Sequence, residues 1–228
     1  MNRRFPFPRS VLPGRSFLFA RTAVFLALLS FVLILSLTVR YADRAAVAAL
    51  KSGARSVALS NRLNETARRV FGLRTALAAQ QDSSIHIAVS LDENLLFLMR
   101  GNRTIRTVRV STGSGKEIER FGKKYEFKTP TGVHTILKIE KDPVWVAPDW
   151  YWIEKGETVP EGLTWEERKF PGVMGEYAFR LGHGYAIHGT KEEGSLGQYV
   201  THGCIRVGKR DLRILRRYVK VGTKVYIY

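Results

Sequence analysis

The chain has 228 residues, 45% hydrophobic and 11% aromatic, with 37 Lys+Arg against 20 Asp+Glu and a net charge of +17. That length holds one ordinary domain plus accessory segments, and the aromatic content excludes a chain disordered throughout. A single cysteine, Cys204, excludes a disulfide scaffold and a multi-cysteine structural zinc site.

The charge is concentrated at the front, where residues 1–83 carry 13 Lys+Arg and 3 Asp+Glu. Thr22 to Val39 form an 18-residue run without a charge. As a helix rising about 1.5 Å per residue it would span roughly the hydrocarbon core of a bilayer. Arg3, Arg4, Arg9, Arg15 and Arg21 precede the run, and this bias predicts a cytoplasmic N-terminus with everything after residue 40 outside. The reading is therefore a basic cytoplasmic segment over 1–21 and an uncleaved signal anchor over 22–39. A cleaved signal peptide is the alternative; its apolar region is usually shorter, and the nearest small-x-small site, Ala46-Val-Ala48, lies well beyond the run.

Residues 40–83 are rich in Ala and Arg, contain no proline, and place Val57, Leu63, Val70 and Leu77 loosely at helical spacing. They read as a helical stalk with a basic face, either a solvated spacer or a contact with anionic headgroups or a second copy.

From residue 84 the periodicity changes to two. Ile85–Val89 and Leu95–Met99 alternate around the turn Asp92-Glu-Asn94, a hairpin signal. Thr104–Val110, Val133–Ile139, Tyr185–Ile187, Ile205–Val207 and Thr223–Tyr228 add further strands, with Gly-bearing breaks at Thr112–Gly115 and Thr129–Gly132. Lys209–Tyr218 reads as a helix, with Leu212, Leu215 and Val219 on one face. The fold class is mainly β: a β-sandwich or barrel-like domain over 84–228 with one or two short helices, behind a transmembrane helix and stalk. Segment 141–180, rich in Trp, Tyr, Gly and Pro but weakly periodic, reads as a functional insertion such as a substrate lid.

Reactive residue types converge on one window, His183-Gly-Tyr185-Ala-Ile-His188-Gly189-Thr190 followed by Thr201-His202-Gly203-Cys204-Ile-Arg206. A thiol needs a neighbouring base or positive charge to act as a nucleophile near neutral pH, and histidine is the natural base. Glycine before the cysteine permits a sharp turn, and the amides around Gly203 and Cys204 would then face the oxyanion of a tetrahedral intermediate. A buried, inert cysteine is the bland alternative. His183, His188, His202 and Cys204 are also of zinc-ligand type, though without a familiar paired spacing. The basic residues of the last helix, from Lys209 to Arg217, suit anionic lipids or acidic wall polymers; export argues against nucleic acid.

His188-Gly-Thr190 … Thr201-His-Gly-Cys204-Ile-Arg206 resembles the signature of L,D-transpeptidases of the YkuD (ErfK/YbiS) type, bacterial cell-wall enzymes with a cysteine nucleophile. The opening hairpin, Val110-Ser-Thr-Gly113, Thr129-Pro-Thr-Gly132 and Asp142-Pro-Val-Trp145 … Pro148 fall in the family's order, so the resemblance covers about 84–228. Thr201 stands where many members have Ser, and Arg206 where another branch has Asn. The resemblance implies that Cys204 attacks the bond between diaminopimelate and D-Ala in a peptidoglycan stem tetrapeptide. It makes His188 the base, oriented by the Gly189 carbonyl, with His202 and Gly203 flanking the nucleophile. Arg206 would take a substrate carboxylate, Thr201 would support by hydrogen bonding, and Tyr185 would line the groove.

The acyl acceptor it implies is an amine: a second stem giving a 3→3 cross-link, or a lipoprotein or outer-membrane protein. Neither cofactor nor metal is required, and the catalytic domain would be periplasmic, anchored in the inner membrane. The alternatives are a hydrolase (an L,D-carboxypeptidase) using water on the same site, a sortase-like transpeptidase, and a non-catalytic wall-binding scaffold. The short His188–Cys204 spacing disfavours the sortase.

Overall fold

The computed structural model describes residues 16–228, without the side chains of residues 16–28 and 45. Helix α1 (Ser16–Gln81, 66 residues) contains the whole apolar run and the stalk as far as Gln81, as expected of a proline-free stretch rich in Ala and Leu. The chain divides into two compact units, Met1–Asn64 and Glu65–Tyr228.

In the first unit, the apolar side chains of Leu29, Phe31 to Leu35, Leu37 and Val39 are exposed. Among the described residues no helix is long and apolar enough to cross a membrane. The expected anchor also includes residues 22–28, whose side chains are not among those described, and most of the basic segment 1–21 lies outside the described residues altogether.

The second unit begins at Glu65, so the last turns of α1 belong with the β domain. Thr75 and Ala79 are buried there, and Ala79 packs with Ala88 and Tyr226. Asp82 then closes the junction, accepting hydrogen bonds from the Ser84 amide (2.9 Å) and the Tyr226 hydroxyl (2.8 Å). From Thr75 onward one face of the stalk is covered by the β domain, while Leu77 on another face stays exposed.

The strands follow as β1 (Ile85–Ser90), β2 (Leu95–Arg100), β3 (Arg103–Gly113), β4 (Glu117–Arg120), β5 (Lys123–Glu126), β6 (Gly132–Thr135), β7 (Lys138–Lys141) and β8 (Val144–Val146). A short helix, α2 (Trp150–Glu154), leads to β9 (Lys169–Pro171), β10 (Tyr177–Gly182) and β11 (Tyr185–Gly189). The chain ends with β12 (Tyr199–Thr201), β13 (Ile205–Val207), α3 (Lys209–Tyr218) and β14 (Lys224–Ile227). The main sheet runs β6-β14-β1-β2-β3-β13-β11-β10-β7, with β12 beside the end of β3; β4–β5 and β8–β9 are separate ribbons.

The eleven-residue β3 joins the two halves of this sheet, pairing with β2 along its start and with β13 through Val110 and Ser111. One buried cluster draws Ile87, Leu98 and Val225 from one half and Phe179, Ile187 and Ile205 from the other, together with Leu212 and Leu215 of α3. A cluster fed from both halves means that the sheet curls over a common core, in keeping with the sandwich or barrel-like expectation. β1 is buried on both faces: Ile87 and Val89 face this core, while Ala88 faces the end of α1.

The expected strand Val133–Ile139 is two strands. β6 pairs with β14 and β7 with β10, and the break falls where the Ile136 amide bonds Thr223 and the Leu137 amide bonds Arg180. Ile136 is fully buried at this crossing, so its apolar character reflects the core between the sheet halves rather than a continuous strand. The ribbon β4–β5 had no sequence signal, because its Glu/Lys/Arg-rich strands are largely exposed and carry no apolar alternation.

Candidate functional site

His188 on β11 and Cys204, at the entry to β13, come together because these strands are parallel neighbours in the register Ile187↔Ile205, His188↔Arg206. Both line a cavity of about 1210 Å³ together with Tyr185, Thr201, His202 and Arg206. Gly189 and Gly203 set the backbone beside it. Of the other histidines in the sequence, His183 also reaches the cavity, whereas His86 is buried against Tyr226 and His134 bonds the Pro130 carbonyl.

His188 is buried, and its Nδ1 lies 2.6 Å from the Gly189 carbonyl oxygen. A carbonyl only accepts, so Nδ1 carries the hydrogen and Nε2 of the neutral ring keeps its lone pair. Burial holds the imidazole pKa down to about 4; the Gly189 carbonyl opposes this, and the charges of Arg206 and Arg180 add to it. Gly189 is required by packing: a Cβ there would lie 3.0 Å from Gly175 Cα and 3.1 Å from Leu212 Cδ2.

The nucleophile turn is fixed from within. The Thr201 hydroxyl donates to the Cys204 carbonyl at 2.6 Å and accepts from the Gly203 amide at 3.1 Å, so it is committed to the turn. Gly203 has φ +123, and a Cβ there would stand 2.6 Å from Tyr185 Cε1 and 2.9 Å from the Lys128 carbonyl oxygen. Tyr185 therefore packs over the turn as well as lining the cavity.

The half-buried Cys204 packs against the buried cluster of Met174, Ala178 and Ala186, as Trp145 also does, and its Sγ lies 3.7 Å from the Gly184 carbonyl. Desolvation pushes the thiol above its ordinary pKa, opposed by a backbone contact with Ala186 and by the charges of Arg180 and Arg206. At neutral pH both thiol and imidazole are consequently uncharged. Arg206 bonds Glu192 at 3.3 Å, but Glu192 is 75% exposed, so an incoming carboxylate competes with a well-solvated partner.

Sequence reasoning missed Arg180, Trp150 and Glu154, which also line the cavity. Arg180 sits on β10 opposite Ala186 and is held by Glu140. Nothing distinguished it from the other basic residues of the chain. Trp150 and Glu154 lie within the 141–180 insertion, whose order comes from the β8–β9 ribbon, α2, and the packing of Trp145, Tyr151 and Phe170. Lys123 and Arg168 both pair with Asp149 just before α2, and together they hold its carboxyl below the usual range. Among the described residues no group of three or more His, Cys, Asp and Glu is placed to hold a metal ion.

A thiol and an oriented neutral imidazole on adjacent strands are the pair that thiol acyl transfer requires. The profile of the L,D-transpeptidase catalytic domain (YkuD) matches residues 84–227, and the chain belongs to this enzyme family. It is 32% identical over 147 residues to the probable L,D-transpeptidase ErfK/SrfK of Salmonella typhimurium, covering 62% of this chain and 43% of that protein. To the putative L,D-transpeptidase YkuD of Bacillus subtilis it is 29% identical over 143 residues, 62% of this chain and 65% of the relative. The chain thus spans less than two thirds of the length of these curated relatives. Among solved structures, an L,D-transpeptidase from Xylanimonas cellulosilytica matches with a TM-score of 0.46 and 20% identity over 64% of this chain and 61% of the other.

Proposed function

We propose that the domain is a peptidoglycan L,D-transpeptidase with Cys204 as nucleophile and His188 as base. The observation that carries this reading is the His188 Nδ1–Gly189 carbonyl bond, which leaves Nε2 free to accept a proton in the cavity that holds the thiol. Cys204 passes its proton to His188 as sulfur bonds to the carbonyl carbon between diaminopimelate and D-Ala. The intermediate collapses by breaking the C–N bond; His188 returns the proton to the departing D-Ala amine, leaving a thioester. An acceptor amine then forms a new C–N bond, the C–S bond breaks, and the amine's proton returns through His188 to the thiolate.

The Cys204 amide supplies a hydrogen bond to the oxyanion, whereas the Gly203 amide, expected to share this role, is already spent on the Thr201 hydroxyl; Arg206 takes a substrate carboxylate in place of Glu192. His202 holds the turn from the side of α2, and Thr201 and Tyr185 hold it in shape.

Incubating the full chain with disaccharide-tetrapeptides and following products by mass spectrometry tests the reaction. The expected product is a 3→3 dimer with release of D-Ala. Tripeptide plus D-Ala alone would move the acceptor to water or to a lipoprotein amine absent from the assay. No change in the substrate would remove the enzymatic reading and favour a wall-binding scaffold.

The exposed apolar side chains between Leu29 and Val39 favour a membrane anchor over residues 22–39, which would place the domain in the periplasm. The full chain is expected to stay in the membrane pellet after an alkaline carbonate wash, with a variant lacking residues 1–39 in the supernatant. Extraction of the full chain would overturn the anchor.

A further inference from the structure

The insertion and the nucleophile turn meet at one side chain, His202. Its ring stacks on Trp150, with centroids 4.0 Å apart and planes 18° apart, and stands nearly perpendicular to Phe127 with centroids 4.4 Å apart. Its Nε2 lies 2.7 Å from Glu154 Oε2. Trp150 and Glu154 are the first and last residues of α2, so the helix presents a flat surface and a carboxylate to the same imidazole. A carboxylate accepts, so Nε2 carries the hydrogen and the ring orientation is set. Phe127 also packs against Trp150 at 5.5 Å, closing the arrangement from the side of β5.

His202 immediately precedes Gly203 and Cys204 in a turn already pinned from the other side by Tyr185 and by the two Thr201 hydrogen bonds. Gly203 itself has no side chain to anchor it. Any rotation there would swing the Gly203 and Cys204 amides and the thiol together. His202 is therefore the grip by which α2 holds that turn, and both ends of α2 contribute to it.

We propose that Glu154 is a positioning residue acting through His202: by orienting the imidazole on Trp150 it couples the 141–180 insertion to the geometry of the Cys204 turn. The insertion is thus part of the machinery that presents the nucleophile, rather than a cover over the cavity alone. This rests on the proposed role of Cys204 as nucleophile. Glu154 is about one third exposed, so its truncation leaves no buried cavity and the fold is expected to persist.

Glu154→Ala and Glu154→Gln in the full chain test it through two readouts: steady-state D-Ala release from tetrapeptide stems and the rate of Cys204 alkylation by iodoacetamide. For Glu154→Ala, kcat is expected to fall about 10- to 100-fold with KM within about twofold, since a displaced reacting group costs rate rather than binding. Its alkylation rate is expected to shift at least about threefold, as the turn and the thiol's surroundings change. Glu154→Gln restores both to within about threefold of the parent, because the amide oxygen accepts the same Nε2 hydrogen. Unchanged kcat and alkylation in Glu154→Ala would overturn the coupling, as would a change confined to KM. Altered alkylation in a chain whose parent releases no D-Ala would keep the coupling and reject the transpeptidase reaction.

Discussion

Replacing Cys204 with Ala is expected to abolish D-Ala release from tetrapeptide stems, a loss of about 10⁴-fold or more in kcat/KM. The chain has no second cysteine to substitute for it. The nearest hydroxyl in the turn, that of Thr201, is buried and committed to the Cys204 carbonyl and the Gly203 amide. The protein should remain folded. Truncating a half-buried thiol beside Met174, Ala178 and Ala186 removes one atom from a small cluster and costs about 1 kcal/mol. A melting curve beside the activity assay separates loss of chemistry from loss of structure, and residual turnover above about one percent would reject Cys204 as the nucleophile. The parent thiol carries a second signature. Because desolvation raises its pKa, alkylation by iodoacetamide should be slow at pH 7 and climb through and beyond the ordinary thiol range. A labelling curve with its midpoint below pH 7 would mean a standing thiolate–imidazolium pair and overturn the uncharged ground state.

The parts of the site legible in the sequence are those whose chemistry is local. The Gly189 carbonyl is one residue from the ring it orients, and the Thr201 hydroxyl bonds within a four-residue turn, so motif and geometry coincide. The strand β2 and the helix α3 were legible for a related reason, since one buried face writes a regular period into the chain. Non-local arrangements left no such trace. Arg180 meets Glu140 across 40 residues, and Glu154 meets His202 across 48. Gly175 is needed because a Cβ there would stand 2.7 Å from Gly189 Cα, a close approach of two backbone segments that no spacing rule encodes. The burial of Thr75 and Ala79 belongs to the same class: β1 alternates as a strand with two covered faces, but the sequence does not say that the end of α1 supplies the second cover.

His188→Gln is expected to lower kcat/KM by about 10²–10⁴-fold, the range for loss of a general base, and to change how the domain responds to acid. In the folded chain the imidazole pKa is about 4, held down by burial, whereas in the unfolded chain it returns to about 6.5. Between these values the unfolded state binds a proton that the folded state refuses, so stability falls as pH drops from 6.5 towards 4. The difference corresponds to about 3 kcal/mol at pH 4. Glutamine does not titrate, so the variant should lose about 3 kcal/mol less than the parent between pH 7 and pH 4 in urea denaturation. Equal losses in the two proteins would mean that the ring is not buried and neutral. The same environment predicts the rate profile: kcat/KM of the parent should persist below pH 6.5, with its acid limb near pH 4, because His188 stays a neutral base throughout that interval. An acid limb at 6.5 would place the working base in water and exclude the buried His188. Burial thus acts on both partners in opposite directions, lowering the imidazole and raising the thiol, so that the proton rests on sulfur until a substrate carbonyl is in place to take the electron pair.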